Sequence, residues 1–159
     1  MANPVAVTNT SPVIALVGIG ELQLLDALFE TIFVPLEVWD ELIDKPGAPE
    51  PEQLRALRGV AFYPTQPIPP EAAFLDPGER AAIALAVSMP GAWVLLDEFA
   101  ARKVAGQLRL PVKGTLGVLV EAKRRGIVPA VRPLIERMLE NGCRLGPELV
   151  AMVLSSVGE

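Results

Sequence analysis

Short apolar runs alternate with longer stretches of helical spacing along all 159 residues, and that alternation leaves few folds open. Val5 to Thr8 (VAVT), TIFVP, GVAFY and AWVLL read as strands, and LPVKG as a brief strand or turn. Between and after them come the patterns expected of helices. Ser11-Pro12 reads as a helix start, with the serine as cap and the proline at the first helical position. ELQLLDALF follows, then PLEVWDELID, which ends before Pro46. DPGERAAIALAVSM, DEFAARKVAGQL, TLGVLVEAKRRG, PAVRPLIERMLENG and PELVAMVLSSVG complete the series. The proline-rich loops KPGAPEPE and PTQPIPP flank a short helix and a strand and are too short for domain linkers, so residues 1–159 are expected to form one domain.

A strand–helix series of this kind implies an α/β architecture, with a mostly parallel sheet covered on both faces and right-handed crossovers. Ligands of such sheets bind in the crevice beyond the carboxyl ends of the strands. Asn9 ends the first strand and Asp97-Glu98 ends AWVLL, so residues far apart in sequence are expected at one sheet edge.

Composition narrows the chemistry available there. The chain has no histidine and one cysteine, Cys143. That removes histidine general acid–base pairs, Ser-His-Asp and Cys-His catalysis, histidine-ligated zinc, cysteine clusters and internal disulfides. Any catalysis falls to oxygen-rich groups, together with a hard metal ion. Aromatics are 5% of residues, too few for a run of base-stacking platforms. Charge is uneven, with nine acids and one base in residues 1–52 against ten acids and thirteen bases thereafter. Such asymmetry suits an acidic pocket beside a modestly basic surface, and not a protein that coats nucleic acid non-specifically. No cationic leader precedes the first apolar run, and SPVIALVGIG is too short to span a bilayer before Glu21, so a cytoplasmic protein without membrane association is expected.

Each candidate acid also has a structural reading. Asp97 is either a helix N-cap or a metal-ligating carboxylate at the crevice. Asp76, Pro77 and Glu79 together satisfy a capping box. Glu41 borders the apolar stripe of its helix beside Val38 and Leu42, whereas Glu37, Asp40 and Asp44 lie farther round on a solvated face. Gly18 and Gly20 do not follow a strand and lack the third glycine of a dinucleotide fingerprint. Lys113-Gly114-Thr115 opens a helix whose amides suit a phosphate, or is simply a cap. Lys123-Arg124-Arg125 is a phosphate-facing patch or a favourable cluster at a helix C-terminus. The final helix carries Leu149, Val150, Met152, Val153, Leu154 and Val157 around much of its circumference and is expected to be largely buried in the core or against a partner.

VTNTSPVIAL, VPLEVWDEL, LDPGERAAIALA, LLDEFAARKVA and VKGTLGVLVEAKRRG, in this order over nearly the whole chain, resemble PIN-domain proteins, in particular a prokaryotic PIN-like family related to VapC-type toxins. The resemblance implies a three-layer α/β/α fold and, in active members, a metal-dependent ribonuclease. Its acidic site falls on Asn9, Glu41, Glu79, Asp97 and Glu98, with Glu41, Glu79 and Asp97 in the catalytic set and Mg²⁺ or Mn²⁺ as cofactor. It also places Thr10 or Ser11 near the first ligand and matches Arg102 to a recurrent arginine. An RNA substrate, an antitoxin protein partner and a homodimer are further implications.

One position departs from that pattern, for Asn9 stands where the nuclease pattern has aspartate. An amide keeps one ligating oxygen, loses a full negative charge and cannot bridge two cations, and affinity for hard cations tracks ligand charge. Asn9 also has a structural reading, a side-chain hydrogen bond to the turn after the strand. Two functions therefore remain: an endoribonuclease, or a catalytically impaired PIN-fold binding or regulatory module.

Overall fold

Ala6-Val7-Thr8 is buried on both faces, which only a central strand with a layer on each side achieves. In the computed structural model, which describes residues 2–159, these residues form β1 (Ala6–Thr8) of a five-stranded sheet with β2 (Ile32–Pro35), β3 (Val60–Tyr63), β4 (Trp93–Leu95) and β5 (Val112–Lys113). The strand order is β3-β2-β1-β4-β5 and every pairing is parallel, with Ala6 opposite Ile32 on one side and Thr8 opposite Leu95 on the other. The expected parallel sheet is thus present, and LPVKG resolves into the two-residue β5.

Helices fill the crossovers: α1 (Thr10–Gly18) and α2 (Leu24–Leu28), α3 (Leu36–Asp44) and α4 (Pro51–Arg55), then a 3₁₀ turn (Pro70–Ala72) with α5 (Pro77–Ser88), and α6 (Phe99–Gln107). After β5 come α7 (Thr115–Arg124), α8 (Arg132–Glu140) and α9 (Pro147–Ser156). Period-2 alternation along the strands sorts side chains to two layers. Ala6, Ile32, Val34 and Leu95 face a core built from α1 to α4 and α7 to α9, with Leu16, Leu25 and Leu119 fully buried. Val7, Val94 and Leu96 face the opposite layer, where Ile83 and Leu85 of α5 meet Ala101 and Val104 of α6.

The chain leaves β1 towards β2 and β3, then returns to add β4 and β5 on the other side. The direction of winding reverses between β1 and β4, and the crevice at such a switch point is where open α/β sheets hold their ligands.

The last helix is only partly taken up by the core. Val153 and Leu154 are buried, but Leu149 is 41% and Met152 64% exposed, because α9 packs through one face only. Glu159 holds its far end in place. Its carboxylate accepts the amides of Val131 and Arg132 and the Lys123 ammonium, which keep it well below the usual carboxylate range. A groove of about 840 Å³ lies between α8 and α9, lined by Leu139, Leu145, Val150 and Leu154 among others and by none of the candidate site residues. Lys123 and Arg125 are likewise absorbed by structure, Arg125 pairing with Glu121 and Asn3. They sit at the end of α7 opposite to Thr115. Among the described residues no helix is long and apolar enough to cross a membrane.

Candidate active site

The edge at the switch point is built from two strand ends. The Asn9 amide donates to the Leu95 carbonyl at 3.1 Å, extending the β1–β4 ladder one residue and bringing Asn9 level with the chain that enters Asp97. Asn9 occupies the N-cap position of α1 in extended conformation, yet its side chain caps nothing. It is 4% exposed, and its Oδ1 has no hydrogen-bond partner among the described residues. The turn-bonding role expected for Asn9 is therefore absent. Ser11 is not the cap either, since α1 begins at Thr10 and Pro12 is its third residue, still among the positions whose amides lack helical partners.

Glu41 projects from α3 into the same edge. Its Oε2 accepts the Thr10 hydroxyl at 2.5 Å and its Oε1 accepts the Gly78 amide at 2.9 Å. A carboxylate from one helix thus caps another, placing negative charge at the positive end of α5. Asp76 is the N-cap of α5 by position but makes no capping bond, so the local capping box gives way to this tertiary one. Gly78 is what lets Glu41 in. A Cβ there would stand 2.6–2.8 Å from the carboxylate. Gly78→Ala should expel Glu41 and cost about 1–2 kcal/mol, the worth of a lost cap, although alanine is the better helix former. Equilibrium urea unfolding measures the difference, and unchanged stability would contradict the assignment of Glu41 as the cap.

Glu79 follows on α5 and is 8% exposed. Burial first, then Asp76, which is close enough to share a hydrogen bond, and then the charges of Glu98 and Glu41 push its carboxyl from 4.5 to about 7. Towards neutrality Glu79 therefore keeps a proton that an ordinary carboxyl would have lost. A folded-state value above the unfolded one means that the native protein binds more protons through that window. Stability is accordingly greatest below the unfolded value and falls as pH rises from 4.5 to about 7, by up to about 3 kcal/mol. Denaturant titrations from pH 4.5 to 8 should show that decline, and Glu79→Gln should flatten it. A decline of the same size in the variant would place its origin elsewhere.

Asp97 completes the edge. Its Oδ1 accepts the Thr115 amide and its Oδ2 the Thr115 hydroxyl, each at 2.7 Å. It caps α7, not its own α6, whose N-cap position is held by Glu98. The α7 amide read as a phosphate site is thus occupied by a carboxylate. Arg102 gains a role here, for its Nη1 donates to the Leu96 carbonyl at 3.0 Å and steadies the end of β4. A Cβ on Gly114 would stand 2.7 Å from that guanidinium and 2.9 Å from Asp97 Oδ1. The amino-terminal ends of α1, α5 and α7 therefore converge on one set of acids.

The structure brings Glu41, Glu79 and Glu98 into one electrostatic cluster, with Asp76, which sequence reasoning had assigned only to a cap. Asn9 and Asp97 close it from adjoining strand ends. Among the described residues no group of three or more His, Cys, Asp or Glu stands at ligating separation for a metal ion. The donor set nevertheless fits a hard cation. Its atoms are all oxygen, burial and the neighbouring acids together raise the Glu79 carboxyl to about 7, and the buried Asn9 Oδ1 has no partner among the described residues.

An α/β/α fold with acids gathered at the switch point defines the class of nuclease-like proteins, and comparison with known families agrees. A family model described as a PIN domain matches residues 5–159, and the chain belongs to the PIN-domain family. PIN domains are in general nucleases. No curated protein and no solved structure matches the chain.

Proposed function

We propose that the protein is a metal-dependent endoribonuclease that hydrolyses phosphodiesters at the pocket between the ends of β1 and β4. The observation that supports this most is the pairing of a proton-holding carboxyl cluster with the unpartnered, buried Asn9 Oδ1. Glu41, Glu79 and Asp97, with Asn9 and Glu98, are the residues that would hold Mg²⁺ or Mn²⁺, which when bound polarises a phosphoryl oxygen and lowers the pKa of water. The chain prepares those groups in advance. Thr10 and Gly78 orient the Glu41 carboxylate, and Thr115 orients that of Asp97, so neither must be ordered at the moment of reaction. Glu79 gives up its proton as positive charge enters, which couples occupancy of the pocket to pH.

Asn9 favours a second reading, a PIN-fold module that binds without cutting, because the pocket is one negative charge short of the nuclease pattern. Incubating the purified protein with a structured RNA pool in Mn²⁺, and again in EDTA, separates the two. Cleavage in Mn²⁺ that chelation abolishes supports the nuclease. Intact RNA in both supports the binding module. The same reading carries a homodimer and, for a toxin, an antitoxin partner. The exposed Leu149 and Met152 of α9 are apolar surface of the kind such contacts cover.

A further inference from the structure

Two phenylalanines stand apart from the other aromatic residues of the chain. Phe29 is buried, Phe33 packs edge-on against Tyr63, Trp39 against Phe62, and Trp93 lies under Lys113. Phe74 is 71% and Phe99 80% exposed, and among the described residues neither is in an aromatic pair. Both are chain neighbours of acids of the pocket. Phe74 lies two residues before Asp76, and Phe99 directly follows Glu98 at the start of α6. Their two segments are joined, because the 3₁₀ turn before Phe74 packs on α6 and Ala72 and Leu75 share a core with Ala101 and Val104.

Each ring has a cation beside it in the chain, held the same way. Arg80 donates to the Leu75 carbonyl at 3.2 Å, next to Phe74, and Arg102 to the Leu96 carbonyl at 3.0 Å, three residues before Phe99. Neither guanidinium pairs with a carboxylate among the described residues. An exposed ring with a guanidinium free of ion pairs among the described residues, repeated in two packed segments that each carry an acid of the pocket, matches the two surfaces of a nucleotide, an apolar base face and an anionic phosphate. A protein partner would need the apolar rings but not the matched cations.

We propose that Phe74 and Phe99 are positioning residues that stack on unpaired bases flanking the phosphate held at the acidic pocket, with Arg80 and Arg102 meeting the neighbouring phosphates. This rests on the ribonuclease reading above and adds to it that the strand is gripped through its bases, so a duplex, whose bases are already stacked, is refused.

The test is fluorescence anisotropy with a labelled single-stranded RNA of about ten nucleotides and with the corresponding duplex, in EDTA so that binding is read apart from cleavage. The native protein should prefer the single strand. Phe74→Ala/Phe99→Ala should weaken single-strand binding on the order of tenfold or more, with an unchanged melting temperature because both rings are exposed, and Phe→Trp at either position should retain it. Single-strand affinity within about twofold of native in the double alanine variant would overturn the proposal while leaving RNA binding intact. Equal retention by leucine would also overturn it, since that marks an apolar contact without stacking. So would loss of self-association in place of RNA affinity, which would make the rings a protein-docking surface. If the native protein binds no RNA in EDTA this proposal fails, and if it also leaves RNA intact in Mn²⁺ the ribonuclease reading fails with it.

Discussion

Asn9→Asp should bind Mn²⁺ at least about tenfold more tightly than the native chain and cut RNA correspondingly faster, because one more formal charge joins a set of hard oxygen donors. The same substitution should be harmful without metal. Asn9 is 4% exposed, and the new carboxylate would enter a site where burial and neighbouring acids already raise the Glu79 carboxyl to about 7. A buried charge with no counter-charge costs on the order of 1–3 kcal/mol even where water partly relaxes it. The variant should therefore melt below the native protein in EDTA and at or above it in Mn²⁺. That crossing of the two melting temperatures is the diagnostic result. A variant melting identically in both conditions, with unchanged Mn²⁺ affinity by calorimetry, would show that Asn9 does not face a cation site.

Asp97→Asn should separate chemistry from architecture. The amide oxygen can still accept the Thr115 amide, and the new Nδ2 can donate to the Thr115 hydroxyl once that hydroxyl turns, so the cap on α7 survives with a loss of under about 1 kcal/mol. Asp97→Ala removes both bonds and should cost about 1–2 kcal/mol. Catalysis should not follow this ranking: both variants should lose on the order of 100-fold or more, since each removes a negative charge that would hold the cation. Single-turnover cleavage beside thermal melts reads the two effects separately. An Asp97→Asn protein that keeps its rate would make this residue a cap and nothing else.

Much of the framework was legible because it rests on periodicity and topology. β1 and β4 are short apolar runs set among helical patterns, and the parallel rule alone placed Asn9 and Asp97 at one edge. The capping partners were not legible. Asp76, Pro77 and Glu79 have the local spacing of a capping box, but the carboxylate that caps α5 comes from Glu41, 37 positions before Gly78. Asp97 likewise looked like the cap of the helix that follows it and instead serves Thr115, 18 positions on. Pairings across such distances depend on how helices pack. The one local hint was Gly78, a glycine in the first turn of α5 with no turn to make, whose missing side chain only the tertiary structure explains. How much of α9 the core itself takes up was hidden for a related reason. A helix apolar around much of its circumference looks buried on all sides, and nothing within it says that only one side meets the core, leaving Leu149 and Met152 outside.

The central claim is that the acids at the β1–β4 edge cleave RNA. It is tested most directly by the rate of RNA cleavage in Mn²⁺ for the native protein and for Asp97→Asn, prepared together and matched in melting temperature. Cleavage by the native chain that disappears in the variant is the predicted result. Equal cleavage by both, or none by the native chain, would contradict the account.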